Sequence, residues 1–357
     1  MSLWHQIVSN FRKNGSRIVE NSPDGFRFPL THVIIIDGTM SALLPGFETN
    51  AGQAYKLIKG GMAKHTVLHY FPGIQLQSDK VLSSCWNIIT GNGINLQIKR
   101  AYGALASRYQ IGDHIILIGY SRGAFAVRSL AGIIDSMGLL KNVHATERNV
   151  ITAFRYYKNG TQSEVARVFQ KEKCHLVAKI TAIGVWDTVK ALGLPLPFIW
   201  RFFNSKHQFH NDQISKSVGH GFHALALDET RLAYKPVLWT APVNWQGTLE
   251  QRWFRGNHGD IGGQISGFSM SRPLANIPFV WIMERLENVG LQLKPDWRDE
   301  YPQDILAPST ASWWKDKLFT LSRAQREIGS NPSELIHGSV ANNEFEILTD
   351  FYDHSDS

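Results

Sequence analysis

A chain of 357 residues that is 43% hydrophobic and 19% charged, with 11 tryptophans, has the composition of a globular protein and the length for one large α/β domain with insertions or for two small ones; the single domain is the simpler reading. No stretch approaches the roughly 20 uninterrupted apolar residues that a membrane-spanning helix needs, which excludes a helical integral membrane protein. The net charge of +7 would suit nucleic acid or anionic lipid, but the basic residues are spread along the chain without zinc-finger spacing or an aromatic-studded basic module, so nucleic acid is set aside and peripheral contact with an anionic membrane surface is kept.

Residues 1–29 read as an N-terminal amphipathic segment and linker. Leu3, Trp4, Ile7, Val8 and Phe11 recur at helical spacing, opposite His5, Arg12, Lys13 and Arg17. Such a face most often packs on its own core, with a membrane-surface helix as the alternative. Polar residues interrupt it too often for a secretory h-region, so a cytoplasmic or membrane-peripheral location is expected. Cys85 and Cys174, without partners at metal or disulfide spacing, fit a reducing compartment.

The main domain is expected over 30–340, followed by an acidic tail over 341–357. Its pattern alternates strands and helices: strands at His32 to Ile36, Thr66 to Tyr70, His114 to Ile118, Ala178 to Val185 and around Arg252 to Arg255, with helices at Asn95 to Tyr109 and Pro278 to Gly290. Lys141 to Lys173 is a more polar helical connection. This alternation predicts a mainly parallel sheet with helices on both faces. Leu192 to Phe203, apolar and broken by two prolines, reads as a cap insertion: the wall of an acyl-binding cleft, or a loop packed under its own side chains.

The chemistry centres on Gly119-Tyr120-Ser121-Arg122-Gly123, between the β-branched run Ile115 to Ile118 and a helix carrying Ala124, Val127, Leu130, Ala131 and Ile134 on one face. Strand, G-x-S-x-G and helix in that order describe a nucleophile elbow, in which Gly119 and Gly123 leave room for the sharp turn that lifts Ser121 clear of the backbone. A serine hydroxyl is a weak nucleophile until a histidine takes its proton and a carboxylate orients that histidine. Asp187, directly after the strand ITAIGV, is the best acid, and His258, on a glycine-rich loop after QRWFRGN, the best base. Asp260 stands as a rival acid, Asp135 as a weaker one, and His220 and His223 as rival bases. Donors for a developing oxyanion are expected from the backbone N–H of Arg122 and from the loop Asp37-Gly38-Thr39, where Gly38 permits close approach and Thr39 or Met40 donates. Asp37 reads either as an auxiliary residue or as a turn-capping carboxylate paired with Arg122; a metal held by Asp37 and Asp260 is the weaker alternative.

Five segments together resemble one family: IIIDGT at 34–39, GYSRGAFAVRSLAG at 119–132, GVWDTVKALG at 184–193, HALALDETR at 223–231 and WFRGNHGDIGG at 253–263. They are similar to DUF2235, a family of α/β-hydrolases that includes the catalytic domain of a class of lipase effectors of type VI secretion. The resemblance implies an α/β-hydrolase fold, a Ser-Asp-His triad at Ser121, Asp187 and His258, and fatty-acyl esters of glycerophospholipids as substrates of some members; the serine mechanism itself requires no metal or organic cofactor. GNHGDIGGQ stands where the family commonly has GVHSDVGGG, and DGTMS where it has DGTWN. From the chain length, an intracellular or peripheral esterase is expected rather than a dedicated toxin. The expected activity is hydrolysis of a lipid or small carboxylic ester, against a non-catalytic lipid- or protein-binding module, or a thioesterase or peptidase with the same triad.

Overall fold

The structure, a computed structural model, describes residues 27–39, 41, 43–73, 92–189, 212–310 and 323–340. The amphipathic N-terminal residues, Met40, the cap segment at 192–203 and the acidic tail lie outside them. In chain order the elements are β1 (Thr31–Ile36), α1 (Asn50–Gly60), β2 (Thr66–Phe71), α2 (Asn92–Ala106), β3 (His114–Tyr120), α3 (Arg122–Met137), β4 (Leu139–Leu140), α4 (Glu147–Asn159), α5 (Glu164–Lys173), β5 (Cys174–His175), β6 (Ile180–Trp186), β7 (Val218–Ala226), β8 (Thr248–Phe254), α6 (His258–Gly262), α7 (Arg272–Asn288) and β9 (Glu334–Ile336).

Seven strands form one sheet in the order β2-β1-β3-β6-β7-β8-β9, every neighbouring pair parallel. β4 and β5 make a separate antiparallel pair. The central strands β1, β3 and β6 are covered on both sides, which is why they are apolar runs rather than alternating ones. Ile34, Ile36, Ile115 and Leu117 pack into one core with α2, α3 and α4. Val33, Ile35, Ile116 and Ile118 face the other way into a second core with α1 and α7. This is the parallel sheet with helices on both faces that the alternating pattern predicts, and it agrees with the α/β-hydrolase fold that the resemblance implies.

The register decides where chemistry can occur. Tyr120 pairs with Trp186, Trp186 with Ala224, and Ala226 with Phe254, so β3, β6, β7 and β8 end together at one carboxyl edge. The chain leaves β1 for β2 on one side and returns to β3 on the other, making the β1/β3 boundary a topological switch point, the usual place for a ligand in such sheets.

Three features differ from expectation. β7, between β6 and β8, has no counterpart in the predicted strands, because Gly219, His220, Gly221 and His223 hide its period; inside the sheet, Gly221 lies where a Cβ would come within 2.5 Å of Ile214 Cδ1. α7 begins at Arg272, not at Pro278: proline normally opens a helix, but here the helix is already formed and runs through it. β8 is not the last strand, since β9 adds to its outer edge.

Candidate active site

The elbow is built as its sequence requires. Ser121 sits between β3 and α3 with φ 57° and ψ −121°, a strained conformation for a residue with a side chain. Gly119 and Gly123 are obligatory: a Cβ on Gly119 would lie 2.7 Å from the Gly123 carbonyl oxygen, and one on Gly123 would lie 2.1 Å from that of Ile36. The Ser121 N–H donates to the Trp186 carbonyl at 2.9 Å, tying the turn to the end of β6.

Asp187 follows β6 with φ 39°, and its N–H donates to the Ala224 carbonyl at 2.8 Å. His258 is the first residue of α6 rather than part of an open loop. Asn257 caps this short helix by accepting from the Gly259 and Asp260 N–H groups, and Asp260 answers by accepting from the Asn257 N–H at 2.9 Å. From these three separate elements the side chains form a line: Asp187 Oδ2 lies 2.6 Å from His258 Nδ1, and His258 Nε2 lies 2.8 Å from Ser121 Oγ. With Nδ1–H donating to the carboxylate, Nε2 is left as the acceptor for the serine hydroxyl. All three residues are buried.

Packing fixes the imidazole. The Tyr120 and Tyr234 rings have centroids 5.0 and 4.6 Å from that of His258, and Tyr120 Oη donates to the His258 carbonyl at 3.2 Å. The His258 N–H donates to Glu229 Oε2 at 3.2 Å, and Glu229 is held by Arg231, whose guanidinium lies over the Tyr234 ring.

Burial by itself would push the Asp187 carboxyl up. The charge and hydrogen bonds of Arg326, followed by those of His258, outweigh that and hold it well below the usual carboxylate range. Arg326 was not among the expected site residues, and neither were Tyr234 and Glu229. Glu229 and Arg231 lie in the HALALDETR segment and were within reach of that motif; Arg326 carries no sequence signal.

The rivals are otherwise employed. Asp260 accepts from Asn257, from Ser309 Oγ and from the Thr310 N–H, as a capping residue. Asp135 is an exposed residue of α3 that accepts from the Ser217 N–H. His223 is fully buried in β7, accepting from the Thr188 N–H and paired with Gln251, and burial lowers its pKa to about 3. His220 stacks on Phe222 and lies six residues before β7's carboxyl end.

Asp37 does not pair with Arg122. It accepts from Tyr70 Oη (2.6 Å), Thr49 Oγ1 (2.8 Å) and the Gly38 N–H (2.6 Å), and burial outweighs these bonds to raise its pKa. It therefore anchors the loop after β1. Gly38 lets that loop lie on the Tyr120 ring, where a Cβ would come within 2.7 Å of Cδ1. Since the Gly38 N–H is taken by Asp37, the loop's donor candidate is the Thr39 N–H. Arg122 is the first residue of α3, so its N–H has no intrahelical acceptor and carries the positive end of the helix dipole. Among the described residues, no group of three or more His, Cys, Asp or Glu side chains is placed to hold a metal ion, and no helix is long and apolar enough to cross a membrane.

Known proteins share much of this chain. An uncharacterized protein of Saccharomyces cerevisiae, YEL023C, is 27% identical over an alignment of 270 residues that covers 67% of this chain and 37% of the yeast protein. Among solved structures, an uncharacterized protein from Pseudomonas aeruginosa matches 85% of this chain and 52% of its own at 14% identity, with a TM-score of 0.42. The Tle1 effector bound to the VgrG spike of the type VI secretion system matches 70% of this chain and 56% of its own at 16% identity, with a TM-score of 0.35. The chain thus spans less than two thirds of the length of each of these relatives. The model of the Tle1-like catalytic domain of type VI secretion phospholipase effectors matches residues 31–285, from β1 to within α7 and through all five segments of the resemblance, and the chain belongs to that family.

Proposed function

We propose that this protein is a serine hydrolase of carboxylic esters, with the acyl esters of glycerophospholipids as its substrate class. The observation that carries the reading is the continuous hydrogen-bond line from Asp187 through His258 to Ser121 at the sheet's carboxyl edge; the lipid substrate class draws on the family. Ser121 Oγ attacks the ester carbonyl while His258 Nε2 takes its proton, and Asp187 stabilises the resulting imidazolium. The backbone N–H groups of Arg122 and Thr39 receive the oxyanion. Collapse of the tetrahedral intermediate expels the alcohol with the proton from His258, leaving an acyl group on Ser121. A water molecule, deprotonated by His258, then releases the fatty acid.

The substrate test is fatty-acid release from mixed glycerophospholipid vesicles, with a soluble short-chain ester, an acyl-CoA and a peptide in parallel. Release from vesicles by wild type, lost in Ser121→Ala, is the expected result. Cleavage of the soluble ester alone would make the protein a general esterase, and preference for the acyl-CoA or the peptide would overturn the lipid reading.

A further inference from the structure

Arg326 belongs to a segment that lies beyond the family match, yet its side chain is only 5% exposed and reaches the innermost residue of the site. Nη1 donates to Asp187 Oδ1 at 2.6 Å and Nη2 to Asp187 Oδ2 at 2.9 Å, the two-pronged geometry in which a guanidinium fixes a carboxylate plane. The same two nitrogens donate to the Ala226 carbonyl at the end of β7 (2.7 Å) and to the Tyr234 carbonyl (2.6 Å), so the guanidinium is itself held in place. Asp187 Oδ1 also accepts from the Ala226 N–H at 3.1 Å. Among the described residues the carboxylate thus accepts four hydrogen bonds, two of them from Arg326, and has little freedom to rotate away from His258.

The segment is docked on both sides of Arg326. Before it, the Ala324 N–H donates to the Thr230 carbonyl at 2.8 Å and Arg323 forms a bridge with Arg231. After it, β9 adds to β8, and Glu334 accepts from Trp253 Nε1 at 2.8 Å.

We propose that Arg326 is a positioning residue of this site: it locks the Asp187 carboxylate in the plane that orients His258 and shares its negative charge, so that the C-terminal segment completes the reactive centre. The proposal rests on the assignment of Ser121, His258 and Asp187 made above. One consequence follows from sharing the charge: without Arg326, the buried Asp187 would take up a proton more readily, which moves the loss of the active protonation state to higher pH. The other charged or titratable groups around His258 and Asp187 are Tyr120 on β3, Arg122 on α3, Glu229, Arg231 and Tyr234 after β7, Asp260 on α6 itself, and His223 on β7, which feels the charges of Asp187 and Arg326 and is kept neutral by burial; none of them hydrogen-bonds to Asp187 among the described residues.

The experiment measures kcat, KM and the pH dependence of kcat/KM on a soluble ester for wild type, Arg326→Gln, Arg326→Lys, Asp187→Asn, the Asp187→Asn/Arg326→Gln double variant and Ser121→Ala, with folding followed by thermal melting. Arg326→Gln is expected to lower kcat about 10- to 100-fold with KM little changed, the scale on which a small misplacement costs a reacting constellation, and to move the acidic limb of kcat/KM up by about one pH unit. Arg326→Lys, which keeps the charge and loses the fork, is expected to lower kcat while leaving the acidic limb near that of wild type. In the Asp187→Asn background, removing Arg326 is expected to add less than about threefold, because an acting-through residue is silent once its target is gone. A wild-type kcat and acidic limb in Arg326→Gln, or fully additive losses in the double variant, would overturn the proposal while leaving the serine assignment intact. Should Arg326→Gln not fold, Arg326→Lys decides: an undiminished kcat overturns the proposal. Turnover retained in Ser121→Ala would remove the assignment it rests on, and the proposal with it.

Discussion

Replacing His258 by alanine is expected to lower kcat on a soluble ester by about 10⁵- to 10⁶-fold without unfolding the protein, the scale on which a serine-histidine pair fails as a unit. The reason is geometric: Nε2, 2.8 Å from Ser121 Oγ, is the proposed proton acceptor of the hydrogen-bonded line, and among the described residues the histidines at this edge of the neighbouring strands are engaged elsewhere, His223 with Thr188 and Gln251 and His337 with Ser339 and the Phe254 ring. Asp187→Asn should cost about 10⁴-fold, because an amide offers the wrong hydrogen-bonding pattern to His258 and so permits the wrong tautomer. Steady-state kinetics of the two variants, with circular dichroism as a check on folding, measure both losses. A His258→Ala protein within about tenfold of wild type, well short of a general base's usual 10²- to 10⁴-fold contribution, would show that the imidazole is not the base.

The second large effect concerns stability. Gly123→Ala puts a methyl group 2.1 Å from the Ile36 carbonyl oxygen and 2.6 Å from that of Asp37, both backbone atoms at the end of β1. No flexible side chain is available to move aside, so α3 would have to lift off the sheet. The expected cost is about 3 kcal/mol or more, at the upper end of what overpacking does. It would be read as a lowered urea midpoint, together with loss of reactivity at Ser121. Gly60→Ala is the matched control. Gly60 ends α1 with no heavy atom within 4 Å of the added Cβ, and a neutral to slightly stabilising change of under about 1 kcal/mol is expected there. Equal midpoints for the two variants would contradict the close packing of the elbow on β1.

What could be read from the sequence was what is local. The elbow is legible because turn, strand and helix lie within about twenty consecutive residues, and each of their requirements is met by the residues beside it. β1, β3 and β6 are legible because a strand covered on both faces must be largely apolar. β7 is equally central but was hidden, because close packing against Ile214 and Leu249 selects Gly221, and a buried hydrogen-bond network selects His223; neither resembles a strand residue by composition. Asp187 and His258 were singled out through chain order on a parallel sheet. Arg326 was not, because it lies 139 residues from Asp187 and reaches it through docking of a segment on β8 and on residues after β7. Asp37 shows the converse: its position at the end of β1 suggested several roles, and only its bonds to Tyr70, Thr49 and Gly38 reveal an anchor for the loop.

The measurement that bears most directly on the central claim is labelling of the folded wild-type protein with a fluorophosphonate, followed by mass spectrometry of the modified peptide. A nucleophilic Ser121 activated by His258 predicts one stoichiometric adduct on the peptide containing Gly119 to Gly123, absent in Ser121→Ala and strongly slowed in His258→Ala. Failure of the folded protein to react, or an adduct at another residue that persists in Ser121→Ala, would contradict it.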